Sequence, residues 1–167
     1  MTAVVLALGS NLGNRQDILQ GAVDAIVGLP GVRVTAVSPV YETVPVGGPA
    51  QPEYLNAVLV AATTLSARAV LERCRKAENT LGRVRTERWG PRRIDVDVIV
   101  YGTEVSDDPE LTLPHPRAHE RAFVLAPWHD VDPGAVIPGR GRVADLLAEV
   151  GSAGVRLYPG AGLRRPS

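Results

Sequence analysis

The chain has 167 residues, with 18 basic and 18 acidic side chains. That balance excludes a bulk electrostatic pull toward nucleic acid or an anionic membrane, so any argument from charge has to be local. A single cysteine, Cys74, cannot close an internal disulfide and suits a reducing, cytoplasmic setting. The length predicts one domain over 1–167 with a substantial core, and the opening run "MTAVVLALGS" is too short to span a membrane.

In chain order, "AVVLALG" is an apolar, β-branched run that predicts a buried strand ending at Gly9. "SNLGN" is turn chemistry, and Asn14 with Asp17 three residues on predicts a helix start. Ile18, Leu19, Ala22, Val23, Ile26 and Leu29 follow at helical spacing, and Leu29-Pro30-Gly31 predicts the stop. "VRVTAVSPVYET" reads as one strand with Val32, Val34 and Ala36 on a shared face. "VPVGGPAQPE" is a Pro/Gly loop, and "YLNAVLVAATT" is the next strand. Ser66 caps a second helix whose apolar stripe is Ala67, Val70, Leu71, Cys74, Ala77 and Leu81. On its wet face Arg68/Glu72 and Glu72/Lys76 are spaced as ion pairs, and Gly82 ends it. After an arginine-rich loop, "IDVDVIVYG" is the fourth strand.

The order β-α-β-β-α-β predicts an α+β, ferredoxin-like antiparallel sheet with both helices on one face and the other face free for a ligand. C-terminal additions follow: helices near 117–128 and 142–150, then a loose tail over about 155–167.

The chemistry concentrates in residues 83–97. In "IDVDVIV", Ile94, Val96, Val98 and Val100 point one way and Asp95 and Asp97 the other. If the apolar set meets the helices, both carboxylates lie on the open face, roughly 6.5–7 Å apart. A bare Asp-x-Asp is common on solvated strands. Here the preceding run "RVRTERWGPRR" carries five arginines against one glutamate. Hard carboxylate oxygens suit Mg²⁺, and guanidinium forks suit phosphate, so the combination points to a polyphosphate–metal complex. The P-loop pattern is absent, the only lysine being Lys76 inside a helix, and no zinc pattern or nucleophile elbow occurs.

Four stretches together resemble one family: "ALGSNLGNR", "SPVYETVPVGGPAQPEYLNAV", "GRVRTERWGPRRIDVDVIVYG" and "LTLPHPRAHERAFVLAPW". Over roughly residues 3–133 the chain is similar to the 6-hydroxymethyl-7,8-dihydropterin pyrophosphokinases of folate biosynthesis, with Trp128 where leucine is usual. The resemblance implies the same ferredoxin-like fold. It implies transfer of the terminal diphosphate of ATP, as a unit, to the pterin hydroxymethyl group with release of AMP, using two Mg²⁺. It assigns Asp95 and Asp97 to the metal ions and to catalysis, and Arg83 and Arg92 to clamping phosphate during catalysis. It places Arg75, Glu78, Arg85, Arg88, Trp89, Arg92, His115 and Arg121 near ATP. The pterin falls to Tyr54 and Phe123 as stacking rings, Asn56 as the amide edge, the main chain of Thr43 and Val46, and Trp89 as a closing aromatic. Val44, Arg75 and Pro116 depart from the usual residues of that family. The expected partners are ATP and the pterin, without nucleic acid or membrane, for a monomer whose contact with other folate-pathway enzymes is open. Two rivals stand beside this reading: an RNA-binding ferredoxin-like module, and a metal-dependent ATP hydrolase.

Overall fold

A computed structural model describes residues 1–10, 15–43, 54–83, 94–159 and 162–163, with the side chain of Arg83 outside the description. The elements are β1 (Thr2–Ser10), α1 (Arg15–Val27), β2 (Val32–Val37), β3 (Tyr41–Thr43), β4 (Tyr54–Thr63), α2 (Ala67–Arg83) and β5 (Asp95–Tyr101). Then come β6 (Ser106–Asp108), β7 (Leu111–Leu113), a single 3-10 turn (Ala118–Glu120) and α3 (Ala122–Val131). The chain closes with β8 (Val136–Ile137), β9 (Gly141–Arg142), α4 (Val143–Val150) and β10 (Val155–Leu157).

The main sheet runs β10-β3-β4-β1-β5, with β2 also on β4, and every pairing is antiparallel. This is the predicted βαββαβ order. α1 and α2 cover one face and share a core with alternate strand residues: Val4, Leu6 and Leu8 of β1, Leu55, Leu59 and Ala61 of β4, Val96 and Val98 of β5. The predicted α2 stripe is buried from Ala67 to Ala77, and the Ser66 hydroxyl accepts from the Ala69 N–H at 3.1 Å, as an N-cap does. The predicted cap Asn14 lies outside the described residues. Arg68 does not serve the helix surface as expected. It reaches Asp108 and Glu110, at 2.6 and 3.2 Å, and ties α2 to the β6–β7 hairpin.

Three strand expectations need correction. The run 32–43 is two strands, because Pro39 has no N–H for the ladder; beside it the Ser38 hydroxyl accepts from the Val58 N–H at 2.8 Å. Thr35 is an extra residue between the pairs Val34–Ala61 and Ala36–Val60, so Ala36 leaves the face of Val32 and Val34, and Val37 packs on that core instead. A similar bulge at Ile99 turns Val100 away from Val96 and Val98, and it packs with Val5 on the opposite face.

That opposite face is not free over its whole extent. α3 and α4 lie across part of it and form a second core with Val5, Val58 and Ile99, centred on Leu125 and Trp128. The additions that build it also differ from expectation. The helix predicted near 117–128 breaks at Arg121, whose extended backbone (φ −109°, ψ 105°) separates the 3-10 turn from α3. The helix predicted at 142–150 forms over Val143–Val150. The segment expected to trail loosely from 155 instead begins as β10, paired with β3, and the Tyr158 N–H donates to the Val40 carbonyl at 2.9 Å. No helix among the described residues is long and apolar enough to cross a membrane.

Candidate active site

What α3 leaves uncovered is one end of the second sheet face, and the strand register fixes what lies there. Gly9 of β1 is paired on one side with Asn56 of β4 and on the other with Asp95 of β5. One step along, Ala7 stands between Val58 and Asp97. The strands that carry valine and isoleucine under α3 therefore carry glycine, amide and carboxylate here. Gly9 keeps the floor low: a Cβ at this position would lie 3.0 Å from Asn56 Nδ2, tighter than ordinary contact.

A cavity of about 340 Å³ opens above this floor. Its walls are Thr43, Tyr54 and Asn56 on one side, Asp95 and Asp97 on another, and Arg117, Arg121 and Phe123 from the start of the C-terminal helical region. The Thr43 hydroxyl donates to Asn56 Oδ1 at 2.5 Å, which leaves the Nδ2 amide hydrogens for the cavity. Tyr54 and Phe123 supply aromatic surface, and the Arg121 guanidinium sits 5.5 Å from the Phe123 ring centroid.

A second recess of about 320 Å³ lies alongside, lined by Arg75, Glu78, Glu110, Thr112, His115 and Pro116 among others. Asp95 and Asp97 line this one too. The two carboxylates thus form a wall common to both spaces. Glu78 of α2 accepts from the Val96 N–H at 3.4 Å and holds the helix against β5. Arg75 pairs with Glu110 at 3.8 Å.

His115 is anchored by its own N–H, which donates to the Ile99 carbonyl at 2.8 Å. Its Nδ1 accepts from the Arg117 N–H at 3.2 Å. An accepting Nδ1 means that the ring proton of the neutral form is on Nε2. Burial lowers the His115 pKa, the Asp97 carboxylate opposes that, and Arg121 and Arg117 reinforce it. The ring is therefore a neutral donor at physiological pH. Cys74, buried behind the recess, has its thiol pushed up to about 12, chiefly by burial and further by Glu78 and Asp97. It stays protonated and is no nucleophile.

Comparison with known proteins shows the family. The family model of 7,8-dihydro-6-hydroxymethylpterin-pyrophosphokinase (HPPK) matches residues 5–133. The chain belongs to this family. It is 45% identical over 156 residues to the 2-amino-4-hydroxy-6-hydroxymethyldihydropteridine pyrophosphokinase of Methylorubrum extorquens, spanning 93% of this chain and 98% of that one. The Pseudomonas aeruginosa protein of the same name is 39% identical over 158 residues, 95% of this chain and 98% of that one. The Mycobacterium tuberculosis protein is 45% identical over 174 residues, 95% and 90% of the two chains. Among solved structures, wild-type HPPK-DHPS of Plasmodium falciparum with pteroate superposes with a TM-score of 0.69 at 12% identity, over 89% of this chain and 44% of that one. At that identity the likeness is one of fold, and this chain spans less than half of the Plasmodium protein's length.

The HPPK residues expected from sequence divide between the two spaces. Thr43, Tyr54, Asn56, Arg121 and Phe123 meet in the first cavity, Arg75, Glu78 and His115 in the second, and Asp95 and Asp97 in both. Arg121, expected beside the nucleotide, lines the first. Val46, Arg85, Arg88, Trp89 and Arg92 lie outside the described residues, as does the side chain of Arg83, the last residue of α2. Sequence reasoning passed over Gly9, read only as the end of the first strand, and Arg117, whose main-chain N–H donates to His115 Nδ1 and which lines the first cavity. The series Val5, Ala7, Gly9 was the available signal for the first, since side chains shrink toward the acids on one strand face. Nothing in the spacing marked Arg117. An RNA-reading sheet face would set stacked aromatics in mid-strand, where this one has Gly9, Asn56, Asp95 and Asp97.

Proposed function

We propose that the two spaces divide the two substrates of the family's reaction, pyrophosphoryl transfer from ATP to hydroxymethyldihydropterin in folate biosynthesis. The first cavity takes the pterin and the second recess takes the nucleotide. The observation that carries this reading is the shared wall: Asp95 and Asp97 line both spaces, so phosphate crossing from one substrate to the other passes them.

The first cavity suits a flat, polar bicycle. Tyr54 and Phe123 offer ring faces, the oriented amide of Asn56 reads one edge, and Thr43 borders that edge, to which the family resemblance also assigns Val46. In the recess, His115 Nε2–H donates to an anionic oxygen, and Arg75 and Glu78 border the nucleotide. Arg83, Arg85, Arg88 and Arg92 are assigned to the phosphates and Trp89 to the nucleotide and pterin by the family resemblance, while Arg117 and Arg121 line the pterin side.

The donor set fits magnesium. Two hard carboxylates share one face with open space on both sides. Mg²⁺ is commonly held this way, by one or two carboxylates with phosphate and water filling the rest. Asp95 and Asp97 would hold such ions, which would supply neutralisation of the phosphate charge. The chain's own contribution is alignment. Tyr54, Phe123 and Asn56 hold the hydroxymethyl oxygen toward the aspartate wall, and the arginines hold the triphosphate in line. The bond from that oxygen to the β-phosphorus forms, the bridge from the β-phosphorus to the α-phosphate oxygen breaks, AMP departs, and the hydroxyl proton is lost. A reduced, buried Cys74 accords with a cytoplasmic setting for this chemistry.

Incubation with ATP, Mg²⁺ and the hydroxymethyl dihydropterin tests the reading. AMP should accumulate in step with pterin consumed, and only with pterin present. Inorganic phosphate or diphosphate released without pterin would instead mark a hydrolase.

A further inference from the structure

β3 has three residues, too few to hold a strand in place alone, yet each of its side chains is tied to a different element. The Tyr41 hydroxyl donates to Asp130 of α3. Glu42 accepts from two arginines, Arg15 at the head of α1 at 3.3 Å and Arg156 of β10 at 2.9 Å. Thr43 donates to Asn56. On the outer edge, β10 adds a ladder that pairs Thr43 with Val155, Glu42 with Arg156 and Tyr41 with Leu157. Beyond it, Tyr158 packs on the first core and lies beneath the Arg15 guanidinium, 5.9 Å from ring centroid to Cζ.

The arrangement is asymmetric. The Glu42 side chain is only 12% exposed, whereas that of Arg156 is 57% exposed. A nearly buried carboxylate depends on its cations, so the pair fixes β3 more than it fixes the tail. The consequence reaches the cavity through Thr43. With Oδ1 engaged by the Thr43 hydroxyl, the Asn56 amide has its donor end over Gly9. A slack β3 would let that amide turn and present an acceptor where a donor is needed.

We propose that Glu42 and Arg156 are positioning residues for the pterin cavity: the C-terminal strand clamps β3 through this pair, and β3 sets the Asn56 amide. This rests on the first cavity being the pterin site. The test is steady-state kinetics of the full chain as Arg156→Ala, Arg156→Lys and Glu42→Gln, with Asn56→Ala alongside, varying each substrate in turn. Arg156→Ala should raise the pterin KM about three- to ten-fold while kcat and the ATP KM stay within about two-fold, because a clamp remote from the phosphates acts on one substrate. Arg156→Lys should recover most of the loss, as the charge remains and the fork does not. The double variant Glu42→Gln/Arg156→Ala should be no worse than the worse single, as expected of one shared contact.

An unchanged pterin KM in Arg156→Ala and Glu42→Gln, with a raised one in Asn56→Ala, overturns the proposal and leaves the pterin cavity standing. An unchanged KM in all three overturns both. Equal rises for both substrates, or a melting temperature that falls in parallel with activity, mean that β10 merely stabilises the fold, and again the proposal fails. Should Glu42→Gln not fold, the exposed Arg156 substitutions decide alone.

Discussion

The second face of the sheet is two surfaces on the same three strands. Under α3 and α4 it carries Val5, Val58 and Ile99, closed over by Leu125 and Trp128. Two to four residues along each strand it carries Gly9, Asn56, Asp95 and Asp97, and no helix among the described residues covers them. The same paired strands run across the border, broken only by the bulge at Ile99 on β5, so the difference lies chiefly in side chains. One half has apolar area to remove from water, which contributes about 25 cal/mol per Å². The other half has carboxylates and an amide whose desolvation would cost more than any packing could return, and it stays open. The C-terminal additions therefore do more than extend the core. By stopping at Phe123 and Arg121, they convert an exposed face into a cavity with a fourth wall.

If this division is right, substitutions on the two halves should fail in different ways. On the open half, Asp97→Ala should reduce kcat by about 10³-fold or more, with the remaining rate no longer rising with Mg²⁺, and with little change in melting temperature. A rate within ten-fold of the parent would remove Asp97 from the metal wall. On the covered half the opposite is expected. Trp128 is 2% exposed at the centre of the second core, and Trp128→Ala should cost about 3–5 kcal/mol of unfolding free energy by chemical denaturation. The fraction that remains folded should turn over with a near-normal ATP KM.

Two residues at the border sharpen the comparison. Gly9→Ala adds one carbon to the floor, 3.0 Å from Asn56 Nδ2. The amide must give way, and the pterin KM should rise about five- to ten-fold while stability hardly moves. Phe123 belongs to both halves, lining the cavity and packing on the second core. Phe123→Ala should therefore show both failures in mild form, a pterin affinity lower by about ten-fold and a loss of about 1–2 kcal/mol in stability, read by ligand titration and denaturation of one preparation.

The sequence showed the open half more clearly than the covered one, for a physical reason. Alternation along "IDVDVIV" places Asp95 and Asp97 on one face without reference to anything distant, and the same period places Tyr54 with Asn56. The α1 and α2 stripes are local patterns too. Bulges are not: the extra residues at Thr35 and Ile99 turn Ala36 and Val100 over, and only their pairing partners reveal them. Coverage by α3 and α4 is a tertiary fact, and so is β10, whose short run "VRL" becomes a strand because β3 has an unpaired edge. Arg117 escaped notice since an exposed arginine carries no pattern. Only the cavity and the bond to His115 single it out.

The smallest expected effect concerns His115, which touches the border from the recess side. Its pKa in the fold is lowered, mainly by burial, so the folded protein resists a proton that the unfolded chain accepts near the ordinary value of about 6.5. Between the lowered folded pKa and that ordinary value, the unfolded state binds more protons. The contribution of His115 to stability is thus complete above about pH 6.5 and is lost as pH falls through that window. His115→Gln keeps a side chain that can both accept and donate and removes the titration. The difference in melting temperature between parent and variant should stay level from pH 8 to about pH 6.5 and shrink as pH falls from there toward 5. A difference that grows on acidification would mean that Asp97 outweighs burial and that the ring is cationic in the fold. In that case His115 would meet the nucleotide as a charge, and the neutral Nε2–H donor assigned to the recess would be the wrong species.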